Sequence, residues 1–400
     1  MITLTDIETA RRRIRDRVYL SPCACTETLS RMTGCRLFLK LENLQMTGSF
    51  KERGALNKML SLTETQRAAG VIAASAGNHA QGVARAAQVL GSKAVIVMPE
   101  TTPLAKIRGT QELGAEIMLH GSGYDDAFDR AQTLQREHGY TFIHAFDDPL
   151  VIAGQGTIGL ELLEQVSDLD TVIVPIGGGG LIAGIATAIK SQRPEVRLIG
   201  VETARLPAMK ACLECGQVKT LPAAKTLADG ICVARVGEHT FPIVRDYVEA
   251  IATVSEEEIA NAILILLERE KTLVEGAGAV GFAALYQRKI ADLEGKHVVV
   301  VLSGGNIDMT LLSRIIERGL EIDGRLARIR VIVPDMPGSI ARLATAIAGR
   351  GANIFDLSQS RPVTDVQLGQ VEVELLLETQ GGTHVRELID TIQATGFTVI

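Results

Sequence analysis

Three apolar runs in this chain each end in a short turn of small and polar residues. Val71-Ile72-Ala73-Ala74 gives way to Ser75-Ala76-Gly77-Asn78-His79, Thr171-Val172-Ile173-Val174-Pro175-Ile176 to Gly177-Gly178-Gly179-Gly180-Leu181, and Val298-Val299-Val300-Val301-Leu302 to Ser303-Gly304-Gly305-Asn306. Apolar runs without polar alternation read as strands covered on both faces, as in a parallel sheet. The first two turns open helical patterns, one through Ala80, Val83, Ala84 and Ala87, the other through Ala183, Gly184, Ala186 and Ala188. Ligands of open parallel sheets bind beyond the C-terminal ends of the strands. The three turns are therefore candidate parts of one site.

The alternation of strand and helix extends around them. Strand-like runs at Val71–Ala74, Ala94–Met98, Ala115–Leu119 and Thr141–Ala145 are separated by helices beginning near Asn78, Pro103 and Tyr124. A second set joins Thr171–Ile176, Arg197–Val201 and His297–Leu302 through helices at Gly154–Val166, Leu181–Ser191, Glu256–Lys271 and Ala277–Lys289. Right-handed βαβ units in two α/β lobes follow, the smaller covering about residues 50–150.

A fourth motif, Thr47-Gly48-Ser49-Phe50-Lys51-Glu52-Arg53-Gly54-Ala55, supplies the reactive group. Ser49 reads as a helix N-cap, which places Lys51 at a helix start with the flat face of Phe50 beside it. An amine desolvated in such a pocket has a lowered pKa and acts as nucleophile and base. Backbone N–H groups of Gly177, Gly178, Gly179 and Gly180 at a helix N-terminus suit a phosphate, although a glycine run alone fits a plain tight turn equally well. No Gly-x-x-x-x-Gly-Lys-Ser/Thr occurs, so a nucleotide loop is not indicated. The Ser75–His79 turn, also at a helix start, suits a carboxylate.

A Schiff-base lysine, a phosphate loop, a carboxylate turn and a hydroxyl for a ring nitrogen are the groups needed to bind pyridoxal phosphate and an amino acid. With all four motifs in order from about Ile7 to Gly319, the chain resembles the threonine/serine dehydratase family of fold type II pyridoxal-phosphate enzymes. The resemblance implies a two-lobed, tryptophan synthase β-like catalytic domain and deamination of L-threonine, with L-serine as a lesser substrate. It implies that Phe50, Lys51, Asn78, Gly177 to Leu181, Ser303 and Gly304 contact the cofactor, and that Ser75, Ala76, Gly77, Asn78 and His79 meet the substrate. Asn78 would face the phenolic oxygen and Ser303 the pyridine nitrogen. A hydroxyl there leaves the ring largely neutral, which favours β-elimination over transamination.

Other activities share this frame. Serine racemases need a second acid/base opposite the lysine, supplied in that family by a serine where this chain has Ala76. Their cation site also has an aspartate where this chain has Ala208, downstream of Glu202, so no metal is assigned. Dehydration of 3-hydroxyaspartate or phenylserine, roles in isoleucine synthesis or threonine breakdown, and a non-catalytic amino-acid sensor complete the alternatives, the last disfavoured by an intact Lys51.

Composition narrows the setting. The 400 residues, 46% hydrophobic and 22% charged, suffice for two or three domains with sizeable cores. A formal net charge of -6 gives no basic footprint for nucleic acid. Arg11-Arg12-Arg13 is followed by Ile14-Arg15-Asp16, not by an apolar segment, and no run approaches the roughly 20 apolar residues of a membrane span. Cys23, Cys25, Cys35, Cys212, Cys215 and Cys232 form no paired zinc pattern and read as reduced thiols of a cytoplasmic enzyme.

Domain boundaries are expected at 1–320 for the catalytic part, 321–325 for a linker and 326–400 for a tail. In the tail a strand at Ala327–Val333, a turn at Asp335–Gly338, a helix at Ser339–Gly349, strands at Ala352–Gln359 and Leu368–Glu378, a helix at Thr383–Thr395 and a strand at Gly396–Ile400 read as an α+β, ferredoxin-like βαββαβ unit. It resembles a single ACT regulatory domain, which implies an amino-acid effector near Asp335, Pro337, Gly338 and Asn353 across a paired interface, and a homodimer or homotetramer.

Overall fold

The strand His297–Leu302 runs through the interior of a six-stranded sheet, and its residues from Val298 to Leu302 are buried, as their unbroken apolar run requires. The computed structural model describes residues 1–360 and 366–400. Strand order in this sheet is Cys23–Cys25, Arg36–Leu41, His297–Leu302, Thr171–Pro175, Arg197–Thr203 and Ala250–Val254. Only the first pair is antiparallel. A smaller parallel sheet is ordered Glu116–Leu119, Ala94–Met98, Val71–Ala74 and Thr141–Phe142.

The order of strands brings the motifs together. Arg36–Leu41, His297–Leu302 and Thr171–Pro175 are neighbours pointing the same way, so the segments leaving their C-terminal ends emerge side by side. Those segments carry Lys51, Ser303 and Gly177–Gly180. The fourth motif, Ser75–His79, leaves the end of Val71–Ala74 in the smaller sheet.

Two elements depart from the expectation. Arg36–Leu41 is a full strand, although Lys40 within it is completely buried and breaks the apolar pattern by which such strands are recognised. The last strand of the small sheet covers only Thr141–Phe142, and the residues after it form a connection instead of continuing to Ala145.

Contacts divide the chain into Met1–Asp308 and Met309–Ile400. The division precedes the linker expected at 321–325, because those residues end the helix Met309–Ile322 and its following turn. That helix packs with the strand Leu326–Pro334, where Arg328 reaches Glu317 at 3.2 Å and Glu321 at 3.4 Å. In this second unit the antiparallel sheet is ordered Asn353–Ser360, Gln370–Glu378, Leu326–Pro334 and Thr398–Val399, with helices Ser339–Ala348 and Gly382–Ala394. Its core joins Val331, Val333, Leu343, Ile347, Val373, Leu375, Leu388 and Ile392. Among the described residues no helix is long and apolar enough to cross a membrane.

Candidate active site

Lys51 is the first residue of the helix Lys51–Leu60, but the cap position belongs to Phe50 and no side chain caps it. Ser49, the expected cap, pairs instead with Gly304 through a backbone bridge. Phe50 N–H donates to Ser303 O at 3.1 Å and Gly305 N–H to Gly48 O at 2.9 Å, so the lysine motif and the Ser303 turn are zipped together. Gly48 has φ +70, and a Cβ there would lie 2.4 Å from Asn306 Oδ1. Glycine is required for this approach.

The three consecutive charges at the helix start go three ways. Lys51 turns to the cavity. The Glu52 carboxylate accepts the Thr47 N–H at 2.9 Å. Arg53 is fully buried and donates to Glu42 at 2.8 Å through Nε and through Nη2, to Glu161 at 2.6 Å and 2.9 Å, and to Thr157 at 3.1 Å. Lys40, also fully buried, donates to Glu161 at 2.6 Å. Two cations thus meet two carboxylates in a closed network that anchors the helix carrying Lys51.

Lys51 Nζ donates to the carbonyl oxygen of Ala145 at 2.8 Å and lies 5.2 Å from the Phe50 ring centroid. Burial brings its pKa down to about 8, against the opposing pull of Glu275. His79 is held neutral by burial and by the charge of Lys51, its pKa pushed down to about 3, and its Nε2 lies 2.8 Å from Ile143 O. The Asn78 amide donates to Glu275 Oε1 at 2.7 Å, and the Asn306 amide donates to Asn78 Oδ1 at 2.8 Å. Burial, assisted by the nearby charge of Asp229, raises the pKa of Glu275 to about 7.

Sequence reasoning missed Glu275. It precedes the helix Gly276–Tyr286 in a run of glycine and alanine, where an acid reads as an ordinary helix start. It also missed residues 143–148, which join the two lobes at several points. Ala145 receives Lys51, and Phe146 lies under the glycine loop, where a Cβ on Gly178 would come within 2.3 Å of its ring. Asp147 accepts the N–H groups of Glu238 and His239, both at 2.9 Å. Asp148 caps the helix Pro149–Gln165 and pairs with Lys58 at 2.7 Å.

One cavity of about 940 Å³ is lined by Phe50, Lys51, Ser75, Ala76, Gly77, Asn78, His79, Gly177, Gly178, Gly179, Gly180, Leu181 and Ser303. Gly304 lies just behind this wall, where a Cβ would meet Glu275 Oε1 at 2.4 Å. The residues expected to meet an effector are not brought together within one chain. Asp335, Pro337 and Gly338 follow the end of Leu326–Pro334 that pairs with Gln370, whereas Asn353 pairs with Glu378, at the other end of the strand Gln370–Glu378. At about 3.3 Å per residue that strand separates them by roughly 26 Å.

Residues 14–304 match the family model described as pyridoxal-phosphate dependent enzyme. The chain belongs to the pyridoxal-phosphate-dependent enzymes. Residues 327–394 match the ACT domain model. The chain is 48% identical over 399 residues to an L-threonine ammonia-lyase of Thermotoga maritima, and 50% identical over 399 residues to one of Geobacter sulfurreducens, covering 100% of this chain and 99% of each relative. Among solved structures, the processed threonine deaminase isoform 2 of Solanum lycopersicum superposes with a TM-score of 0.75 at 39% identity, covering 78% of this chain and 91% of that one. Maize serine racemase superposes at 0.76 with 35% identity, covering 80% and 98%.

The cavity fits pyridoxal phosphate on its own evidence. Among the described residues, the N–H groups of Gly177, Gly178, Gly179 and Gly180 donate to no protein acceptor, and the helix Gly180–Lys190 begins at this loop. That is a phosphate cradle. Lys51 supplies an amine and Ser303 a hydroxyl to the same space. Glu202 offers little to a cation, since its two oxygens accept the N–H groups of Met209 at 2.8 Å and Lys210 at 2.9 Å and so cap the helix Ala208–Cys215.

Proposed function

We propose that this enzyme converts L-threonine to 2-oxobutyrate and ammonia through loss of the α-proton and the β-hydroxyl, and L-serine to pyruvate as a lesser reaction. The observation that carries the reading is the position of Lys51, whose amine, with a pKa of about 8, shares one cavity with the glycine loop, the Ser75–His79 turn and Ser303. Two full-length relatives named L-threonine ammonia-lyase support the choice of substrate.

Pyridoxal phosphate, when bound, supplies an electron-withdrawing ring that takes up the charge left on the substrate's α-carbon. Lys51 holds the aldehyde end and removes the α-proton. Gly177 to Gly180 hold the phosphate, Asn78 and Ser303 the ring, and Phe50 a face of it. For the substrate carboxylate the N–H groups of Ala76, Asn78 and His79 are available among the described residues, since Ser75 N–H serves Val97 O and Gly77 N–H the Ser75 hydroxyl. The neutral Nε2–H of His79 fixes that turn against Ile143 O without bringing a second positive charge near Lys51.

The second unit serves an amino-acid effector in this reading, with Asp335, Pro337 and Gly338 from one copy and Asn353 from another, in a cytoplasmic homodimer or homotetramer. Release of 2-oxo acid from L-threonine, L-serine, 3-hydroxyaspartate and phenylserine, with and without isoleucine or valine, tests both parts. The expected result is the highest kcat/KM for L-threonine and a response to a branched-chain amino acid. A preference of tenfold or more for another substrate would refute the threonine assignment.

A further inference from the structure

The carbonyl oxygen of Gly178, in the middle of the glycine loop, points away from the cavity. It accepts the Gly237 N–H at 3.1 Å and the Thr240 hydroxyl at 2.6 Å. Thr240 is fully buried, and its one hydroxyl hydrogen has a second acceptor in reach, Gly237 O at 3.2 Å. The shorter contact takes the hydrogen. A trans peptide is planar with its C=O and N–H opposed, so turning the Gly178 oxygen toward Thr240 turns the Gly179 N–H the opposite way. That is the cavity side, which Gly178 and Gly179 both line.

Thr240 is itself held in place from the other lobe. It opens the helix Thr240–Tyr247, and the two N–H groups just before it, on Glu238 and His239, donate to the carboxylate of Asp147. Asp147 follows by two residues the carbonyl that receives Lys51. A Cβ on Gly179, where φ is +94, would lie 2.7 Å from Thr240 Oγ1, so loop and hydroxyl are fitted to each other with no room for a side chain.

We propose that Thr240 is a positioning residue for the cofactor's phosphate, acting through the Gly178–Gly179 peptide without touching the cofactor. The inference rests on the reading of Gly177 to Gly180 as the phosphate cradle. Without the Thr240 hydroxyl the Gly178 carbonyl keeps only the longer bond from Gly237 N–H, so this peptide is held less firmly and its N–H donor is aimed less well at the phosphate.

The test compares dissociation constants of pyridoxal phosphate and of pyridoxal, which lacks the phosphate, for the full chain after removal of cofactor with hydroxylamine. Thr240→Val keeps the shape and loses the hydroxyl, Thr240→Ser keeps the hydroxyl, and Gly179→Ala alters the loop itself. Loss of one aimed hydrogen bond predicts that Thr240→Val binds pyridoxal phosphate about five- to tenfold more weakly. Pyridoxal binding changes less than about twofold in the same variant, and Thr240→Ser retains normal selectivity for the phosphate form. Thr240→Ala is read in place of Thr240→Val if the latter does not fold. An unchanged ratio of the two constants in the hydroxyl-less variant overturns the proposal, as does equal weakening of both ligands. If Gly179→Ala reduces the preference for pyridoxal phosphate over pyridoxal while Thr240→Val does not, only the role of Thr240 is wrong. If neither reduces that preference, the cradle reading falls too.

Discussion

Lys51 Nζ and the carbonyl oxygen of Ala145 are 2.8 Å apart, a hydrogen bond that ties the reactive amine to residues 143–148, where the lobes meet. Burial lowers the pKa of this amine to about 8 and Glu275 opposes that shift. Glu275 is itself brought up to about 7, so at pH 8 most of it is charged. In the cofactor-free protein, labelling of Lys51 by an amine-reactive reagent should therefore reach half its maximum near pH 8. Glu275→Gln removes the negative charge that favours the protonated amine, so the midpoint should move lower. A midpoint near 10.5, or an upward move in Glu275→Gln, contradicts this electrostatic picture.

Arg53 should be among the costliest residues to replace. Arg53→Met leaves Glu42 and Glu161 buried with only Lys40 between them, a loss of roughly 3–5 kcal/mol for one partner of a buried pair. Arg53→Lys should recover only part of it, since an ammonium cannot serve both carboxylates in the forked geometry. Chemical denaturation of the two variants measures this, and a change under about 1 kcal/mol in Arg53→Met would show that the network relaxes around the loss.

How much of this was legible beforehand depended on range. The loops carrying Ser75, Gly177 and Ser303 follow apolar strands, and an unbroken apolar run is visible within a few residues. The strand Arg36–Leu41 was hidden because Lys40 is polar, and what makes it tolerable inside, Glu161, lies far away in sequence. Glu275 was hidden for the same reason, its partner Asn78 being 197 positions distant. Ser49 looked like a cap because local rules favour serine there, but pairing with Gly304 overrode the local preference. Residues 143–145 read locally as the end of a strand that stops at Phe142, and 146–148 show no period, so their joining of the lobes emerged only from the fold.

Reaction choice is expected to turn on Ala76, which lines the cavity and has no proton to give. L-serine should yield pyruvate with little D-serine. Ala76→Ser should raise the share of D-serine, read by chiral chromatography alongside pyruvate. Comparable amounts of D-serine and pyruvate from the unmodified enzyme would show that another group protonates the opposite face.

Removing the second unit separates regulation from chemistry. Because the helix Met309–Ile322 packs with Leu326–Pro334, a chain ending at Asp308 is a cleaner cut than one ending at Gly324. Residues 1–308 contain the whole cavity and should keep threonine turnover while losing any branched-chain response, with a smaller assembly in solution. An unchanged inhibition curve would place the effector site in the first unit.

The most direct test of the account is to find which lysine holds the cofactor. Lys106 also lines the cavity, where it pairs with Asp229 at 2.6 Å, so the assignment has a real competitor. Borohydride reduction of the holoenzyme followed by peptide mapping should place the pyridoxyl group on Lys51, and Lys51→Ala should lose 2-oxobutyrate formation by at least about 10²–10⁴-fold. A pyridoxyl group on Lys106, or near-normal turnover in Lys51→Ala, would contradict it.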